Sequence, residues 1–151
     1  MATTYNFTDG SIAGVPRMTQ TTLRENELTI LRHIVDFSLQ NIEAGAADVA
    51  QCLIIPAATT VLTAYVRVMT AETANGTVDL GYGGNADQWG DALDVAAAAD
   101  VTVGGLGSNV PVYFAAADTI DLTATTDGAD VDLDGLKVEV FAVCLKHVDT
   151  Y

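Results

Sequence analysis

The residues best spaced for chemistry are Asp130, Asp132 and Asp134, which alternate ahead of Gly135. Asp-x-Asp-x-Asp-Gly is the opening of a calcium loop, in which alternate carboxylates converge on one hard cation and the glycine lets the chain turn. The rest of that pattern is missing. The twelfth position is Phe141 where a bidentate Glu is required, and a strand-like run follows where a helix should. Asp127 could add a ligand, but a partial motif outside its structural context is weak. An acidic, solvated turn is therefore the plainer reading, and no metal or other cofactor is expected.

Other chemistry is harder still to assemble. His33 and His147 stand alone, without the three or four closely spaced ligands of a zinc site. Ser11, Ser38 and Ser108 lack the Gly-x-Ser-x-Gly setting of a nucleophile. Cys52 and Cys144 sit in apolar runs without the basic neighbours that lower a thiol pKa, and read as buried free thiols. Gly81-Tyr82-Gly83-Gly84 precedes no lysine-bearing helix and lies among acids, so it is a poor phosphate cradle; Gly104-Gly105-Leu106-Gly107 reads as a turn. Acid pairs such as Asp91 with Asp94 and Asp118 with Asp121 are what chance supplies in so acidic a segment. No enzymatic constellation is expected.

The elements that would carry these residues are strands. Val61 to Thr70 alternates, Gly76 to Tyr82 reads as a strand, and Asn75-Gly76 between them is a hairpin signal. Gln51 to Ile55, Val101 to Val103, Val110 to Phe114, Thr119 to Thr125 and Leu136 to His147 are further strand-like runs separated by Gly, Pro, Asn or Asp. Gly83-Gly84-Asn85 reads as a break, and Ala86 to Ala99 as a stretch with room for one short helix around Trp89. Residues 22–40 carry both a helical stripe and a strand alternation; the β-branched and aromatic content favours a strand from about Thr29. About eight strands at short spacing predict an all-β protein, an antiparallel β-sandwich or barrel over residues 23–151. Residues 1–22, rich in Thr and Gly, read as an extended N-terminal arm. Its apolar anchors Tyr5, Phe7, Ile12, Val15 and Met18 would dock on this subunit or another. In the last strand one face is apolar throughout, while the other starts with Lys137 and Glu139 and ends with Phe141, Val143 and Leu145, which predicts a second cover over that half.

Composition narrows the partners. The 151 residues carry a net charge of −14, and the charge is lopsided. Residues 1–70 hold Arg17, Arg24, Arg32 and Arg67 against six acids, whereas residues 71–151 hold Lys137 and Lys146 against fourteen. So acidic a surface repels phosphate backbones and anionic membranes, so neither nucleic acid nor membrane is an expected partner. The start carries no basic region followed by an apolar core, so no signal peptide is expected. The less acidic N-terminal part is the expected docking side.

The order of segments also resembles a family. Val35-Asp36-Phe37-Ser38-Leu39-Gln40-Asn41-Ile42 leads to Leu53-Ile54-Ile55-Pro56-Ala57, then to Val66-Arg67-Val68-Met69-Thr70-Ala71-Glu72. Val78-Asp79-Leu80-Gly81-Tyr82-Gly83-Gly84-Asn85-Ala86-Asp87-Gln88-Trp89 follows. Asp118-Thr119-Ile120-Asp121-Leu122-Thr123 precedes the closing Lys137-Val138-Glu139-Val140-Phe141-Ala142-Val143. This run, over roughly residues 30–147, resembles tailed-bacteriophage capsid decoration (cement) and head-fibre proteins. The resemblance implies a jelly-roll sandwich, often a homotrimer between capsomers on the virion exterior, without a cofactor and made in the host cytoplasm. It implies an arm that reaches a neighbouring subunit or the major capsid protein. Tyr5, Phe7, Ile12, Val15, Pro16, Arg17, Met18 and Arg24 are the arm residues suited to that contact by their chemistry, not by a family motif. The competing expectation is a glycan- or receptor-binding module of a fibre or tail, with a pocket near Trp89 or Tyr113; a tail or neck subunit comes third.

Overall fold

A computed structural model describes residues 2–10, 23, 25–40, 42, 47–72, 76–96, 102–104, 111–125 and 133–147. Ten strands and one short 3-10 turn, Phe37–Leu39, make up the described architecture. The strands are β1 (Thr4–Asn6), β2 (Leu28–Asp36), β3 (Val49–Ile55), β4 (Thr59–Thr70), β5 (Thr77–Tyr82), β6 (Asn85–Asp94), β7 (Thr102–Gly104), β8 (Val112–Phe114), β9 (Asp118–Thr125) and β10 (Lys137–Lys146). They form two sheets. The first runs β1-β3-β9-β5-β6 and the second β2-β10-β4-β7, with β8 also pairing β4. The protein is an antiparallel-rich all-β sandwich, as its alternation and turn spacing predict.

The pairing is nested. β2 pairs β10, β3 pairs β9, β4 pairs both β7 and β8, and β5 pairs β6, all antiparallel. Successive pairs fall in alternate sheets. Nested antiparallel pairs that alternate between two sheets wind the chain into a two-layer sandwich. Between the sheets lies one core in which Trp89, Phe7, Phe37, Leu53, Leu80, Ile120 and Leu122 are fully or almost fully buried. In β10 the even residues Val138, Val140, Ala142 and Cys144 are all buried, the inward half of a two-residue period.

Two local expectations are overturned. Asn75-Gly76 does not mark a hairpin, because β4 and β5 belong to different sheets, though Asn75 itself lies outside the described residues. Gly83-Gly84 is instead the two-residue turn joining β5 to β6, where Tyr82 faces Asn85. The stretch expected to hold a short helix is strand β6 over Asn85–Asp94. Its alternation is hidden by bulges: between the pairs Leu80–Gly90 and Tyr82–Asn85, β6 advances five residues while β5 advances two.

The N-terminal residues dock on this subunit. β1 lies parallel to β3, Asp48 accepts a hydrogen bond from the Thr3 amide at 2.6 Å, and the Phe7 amide donates to the Gln51 carbonyl at 3.0 Å. Phe7 is fully buried, its ring 5.7 Å from that of Phe37, and its carbonyl meets His33 Nε2 at 3.1 Å. Tyr5 is half-buried against the core. Phe7 therefore anchors within its own subunit and is unavailable to a neighbour. Ile12, Val15, Pro16, Arg17, Met18 and Arg24 lie outside the described residues.

Candidate functional site

The strands leave two sheet faces outside the core, and they differ in chemistry. On the outer face of the second sheet the side chains of β2, β10 and β4 stand in rows. Leu28 is beside Leu145 and Ile30 beside Val143, while Phe141 lies between Arg32 and Tyr65, and Glu139 between Ile34 and Arg67. The apolar end of the face is bare: Leu28 is 66% and Ile30 62% exposed. Phe141 stacks on Tyr65 with ring centroids 5.4 Å apart, which stiffens the middle. The other end is a charge ladder. Glu139 lies 3.6 Å from Arg32 and 3.7 Å from Arg67, and Lys137 lies 3.4 Å from Asp36. Asp36 also caps the following 3-10 turn. Its pKa is drawn below the usual range, chiefly by the Ser38 hydroxyl at 2.6 Å, with Lys137 adding to the effect. Three cations against two carboxylates make this face far less acidic than the chain as a whole.

The face is also an edge. β2 ends the second sheet and carries its exposed isoleucines there. Natural sheets guard such edges with charge, proline or a bulge, because an unpaired row of amides and carbonyls invites another chain. Of the second cover expected over the distal half of β10, the described residues supply none above Ile30, directly beside Val143, which is open to solvent.

The outer face of the first sheet is acidic. Asp121 of β9 lies between Gln51 of β3 and Gly81 of β5. Gly81 is required here: a Cβ would overlap the main chain of Asn85 and Ala86, which the five-residue bulge folds back over it. Asp121, paired with Gly81, is only 7% exposed and lines a pocket of about 300 Å³. Thr4, Gln51, Thr123, Gly83 and Ala86 supply much of the wall. Asp121 Oδ1 meets no hydrogen-bond donor among the described residues. Burial pushes the carboxyl up to about 6, and Asp118 adds to the rise. The Thr119 hydroxyl is near enough to oppose it but makes no well-formed hydrogen bond.

The remaining sequence candidates are not brought together. Asp134 is exposed in the turn before β10, where Gly135 donates to Glu72 at 3.1 Å; Asp130 and Asp132 lie outside the described residues. No group of three metal-ligating side chains occurs among the described residues. His33 is half-buried, and burial lowers its pKa against the opposing contact to the Phe7 carbonyl. His147 meets the Thr60 hydroxyl at 2.7 Å, far from His33 in the sheet register. Cys52 and Cys144 are free and buried, and burial raises both thiols, Cys144 to about 12. Trp89 is fully buried, so it offers no platform for a sugar, whereas Tyr113 is 57% exposed. Reading the sequence passed over Asp121 as one of a chance pair. Its signal was a carboxylate at mid-strand between the inward Ile120 and Leu122, but the residues around it come from strands distant in sequence.

Comparison with known proteins defines a fold shared with phage capsid chains. A chain in the capsid of Ralstonia phage GP4 superposes with a TM-score of 0.65 at 14% identity, covering 97% of this chain and 99% of that one. A chain of the cyanophage Pam1 capsid gives 0.63 at 16%, covering 89% and 95%. A chain of the acidic stable capsid of Helicobacter pylori bacteriophage KHP30 gives 0.53 at 10%, covering 80% and 89%. No family model matches the chain, and no curated protein matches it.

Proposed function

We propose that this chain is a virion structural protein that decorates a phage capsid and stabilises it by bridging neighbouring shell subunits. The observation that carries the reading is the outer face of the second sheet: one apolar, cation-bearing surface on a chain of net charge −14. A contact of that kind suits an apolar patch with acidic margins, and the proposed occupant is the major capsid protein. The fold shared with chains of three phage capsids supports the particle setting. The physical logic is linkage. A body that binds only the assembled shell shifts assembly in its favour by mass action, and it needs contact area but no catalytic group. On this reading the chain sits on the exterior as a homo-oligomer, with three copies as the working number, and its acidic surfaces keep particles apart.

Rebinding tests this. Particles assembled without the chain are incubated with wild type or with the double variant Leu28→Glu/Ile30→Glu and pelleted. Both positions are exposed, so the variant should keep its stability within about 0.5 kcal/mol. Wild type should saturate the particles, and the variant should bind at least about tenfold more weakly, a loss of about 1.4 kcal/mol. Equal binding by the two, or a wild type that stays in the supernatant, refutes the assignment.

A further inference from the structure

We propose that the major capsid protein docks by adding one extended strand to the free edge of β2, a strand with a carboxylate beside Arg32 and aliphatic side chains beside Ile30 and Ile34. The proposal rests on the decoration reading for its partner and adds the mode of binding. One bond fixes which way the β2 main chain faces. The Phe37 amide donates to the Leu136 carbonyl at 2.9 Å, and these two residues continue the β2–β10 register. Antiparallel pairing alternates, so the odd residues of β2 turn their amides and carbonyls to β10, and Leu28, Ile30, Arg32 and Ile34 turn theirs to the open edge. Among the described residues those groups have no main-chain partner. The edge is nine residues long, pairs β10 without a register shift, and holds no acid, glycine or proline from Leu28 to Val35. The other described edges are protected: β1, β7 and β8 have three residues each, and β6 is bulged and carries Asp87, Asp91 and Asp94.

Charge selects the occupant. The Arg32 side chain is 74% exposed and shares Glu139 with Arg67, between the exposed Ile30 and Ile34. Strand addition takes its affinity from main-chain bonds and its specificity from alternate side chains, so the matching strand reads aliphatic, acidic, aliphatic at every second position. The chain's own segments fit poorly. Outside the described residues the one stretch as long as β2 is 11–22, which has no acid, carries Arg17 and is interrupted by Pro16, whose missing N–H breaks a ladder. A second copy fits no better: its β2 brings a further Arg32 and no acid before Asp36, on a chain of net charge −14.

The test uses particles assembled without the chain. Ile30→Ala removes the side chain and keeps the edge amide, whereas Ile30→Pro removes the amide as well. Proline is tolerated on a free edge, so both variants should fold, which urea unfolding checks. Ile30→Pro should bind particles at least about tenfold more weakly than Ile30→Ala, the effect of one lost main-chain bond with its acceptor left buried. Arg32→Gln should bind about tenfold more weakly than wild type, by a margin that shrinks as salt is added. Hydrogen exchange reads the same groups in wild type without a substitution. The amides of Ile30, Arg32 and Ile34 should exchange freely in the unbound chain at every concentration and slow at least about tenfold on the particle. A wild type that stays off the particles overturns the decoration reading and this proposal with it. Binding in which Ile30→Pro equals Ile30→Ala, or in which the three amides stay unprotected, overturns strand addition alone. Arg32→Gln binding as tightly as wild type overturns the acidic strand. Protection already present in the unbound chain assigns the edge to the chain's own residues, and protection that grows with concentration assigns it to a second copy; either result overturns the proposal.

Discussion

Replacing Asp121 by Asn should stabilise the isolated chain near neutral pH. Burial raises the Asp121 carboxyl from 3.8 to about 6, so the folded state holds a proton that the unfolded state has already released. At about 1.4 kcal/mol per pH unit the charged form is penalised by at most about 3 kcal/mol. The pocket opens to solvent on one side, and screening there cuts the figure to about 1.5 kcal/mol. The sign follows from proton linkage. Between pH 4 and 6 the native state binds more protons than the unfolded one, so this group's penalty is absent below about 4, grows as pH rises through 6 and is complete above it. His33 acts in the opposite sense: burial lowers its pKa, so its contribution is lost as pH falls below 6.5. The informative quantity is therefore the difference between wild type and Asp121→Asn, in which His33 cancels. Thermal melts from pH 4 to 8 should show the variant about 3–6 °C more stable at pH 7.5, at about 2–4 °C per kcal/mol for a chain of this size, with the gap closing towards pH 4. A destabilised variant at pH 7.5, or a gap that does not change with pH, would refute the claim that burial dominates this carboxyl's environment.

Three further outcomes follow from packing. Phe7→Ala should cost about 3–5 kcal/mol in urea unfolding, because the ring is fully buried against Phe37; a cost below about 1 kcal/mol would mean that the N-terminal strand is detachable. Gly81→Ala should disrupt the β5–β6 hairpin, seen as lost amide protection across 77–94, since its methyl would overlap the Asn85 and Ala86 main chain. Cys52 and Cys144 should resist iodoacetamide in the folded state at pH 8 and react only on unfolding, because both thiols are buried and titrate far above that pH; labelling under native conditions contradicts this.

What the sequence made legible was whatever a single strand encodes. The alternation of Val138, Val140, Ala142 and Cys144 against Lys137 and Glu139 defines β10 and its inward face, and the β-branched run from Leu28 to Asp36 outweighs a helical stripe of equal length. Errors arose where pairing partners are distant. Asn75-Gly76 has the local chemistry of a hairpin, but β4 finds its antiparallel partner in β10, with the buried Val66 beside the buried Val140. Trp89 and Gly90 interrupt the period of β6 because its bulge serves the neighbouring strand. The sandwich-facing apolar residues were readable from period; the bare Leu28 and Ile30 were readable only as apolar, since exposure depends on β2 being an edge. Asp121 was invisible for a related reason: its burial depends on partners in β3 and β5 that are distant in sequence.

The two distinctive surfaces lie on opposite sides of the sandwich, and that geometry constrains what can bind each. A contact joining the cationic face of one copy to the Asp121 face of the next would be heterologous, and with the two patches pointing in opposite directions it repeats without closing. Such growth would be ruinous for the closed oligomer proposed above. The acidic charge of the first sheet's outer face opposes it only in part, since Arg32 and Arg67 are the groups that Asp121 would attract. The charge ladder supplies the missing restraint: Glu139 lies between both arginines and holds them against their own sheet. Glu139→Gln should release them. In sedimentation, wild type should reach a bounded mass as concentration rises, while Glu139→Gln should show mass increasing with concentration, suppressed by salt and by Asp121→Asn in the same chain. Unbounded growth of wild type would mean that a second copy already occupies the pocket. Bounded growth of Glu139→Gln would show that the ladder does not guard it.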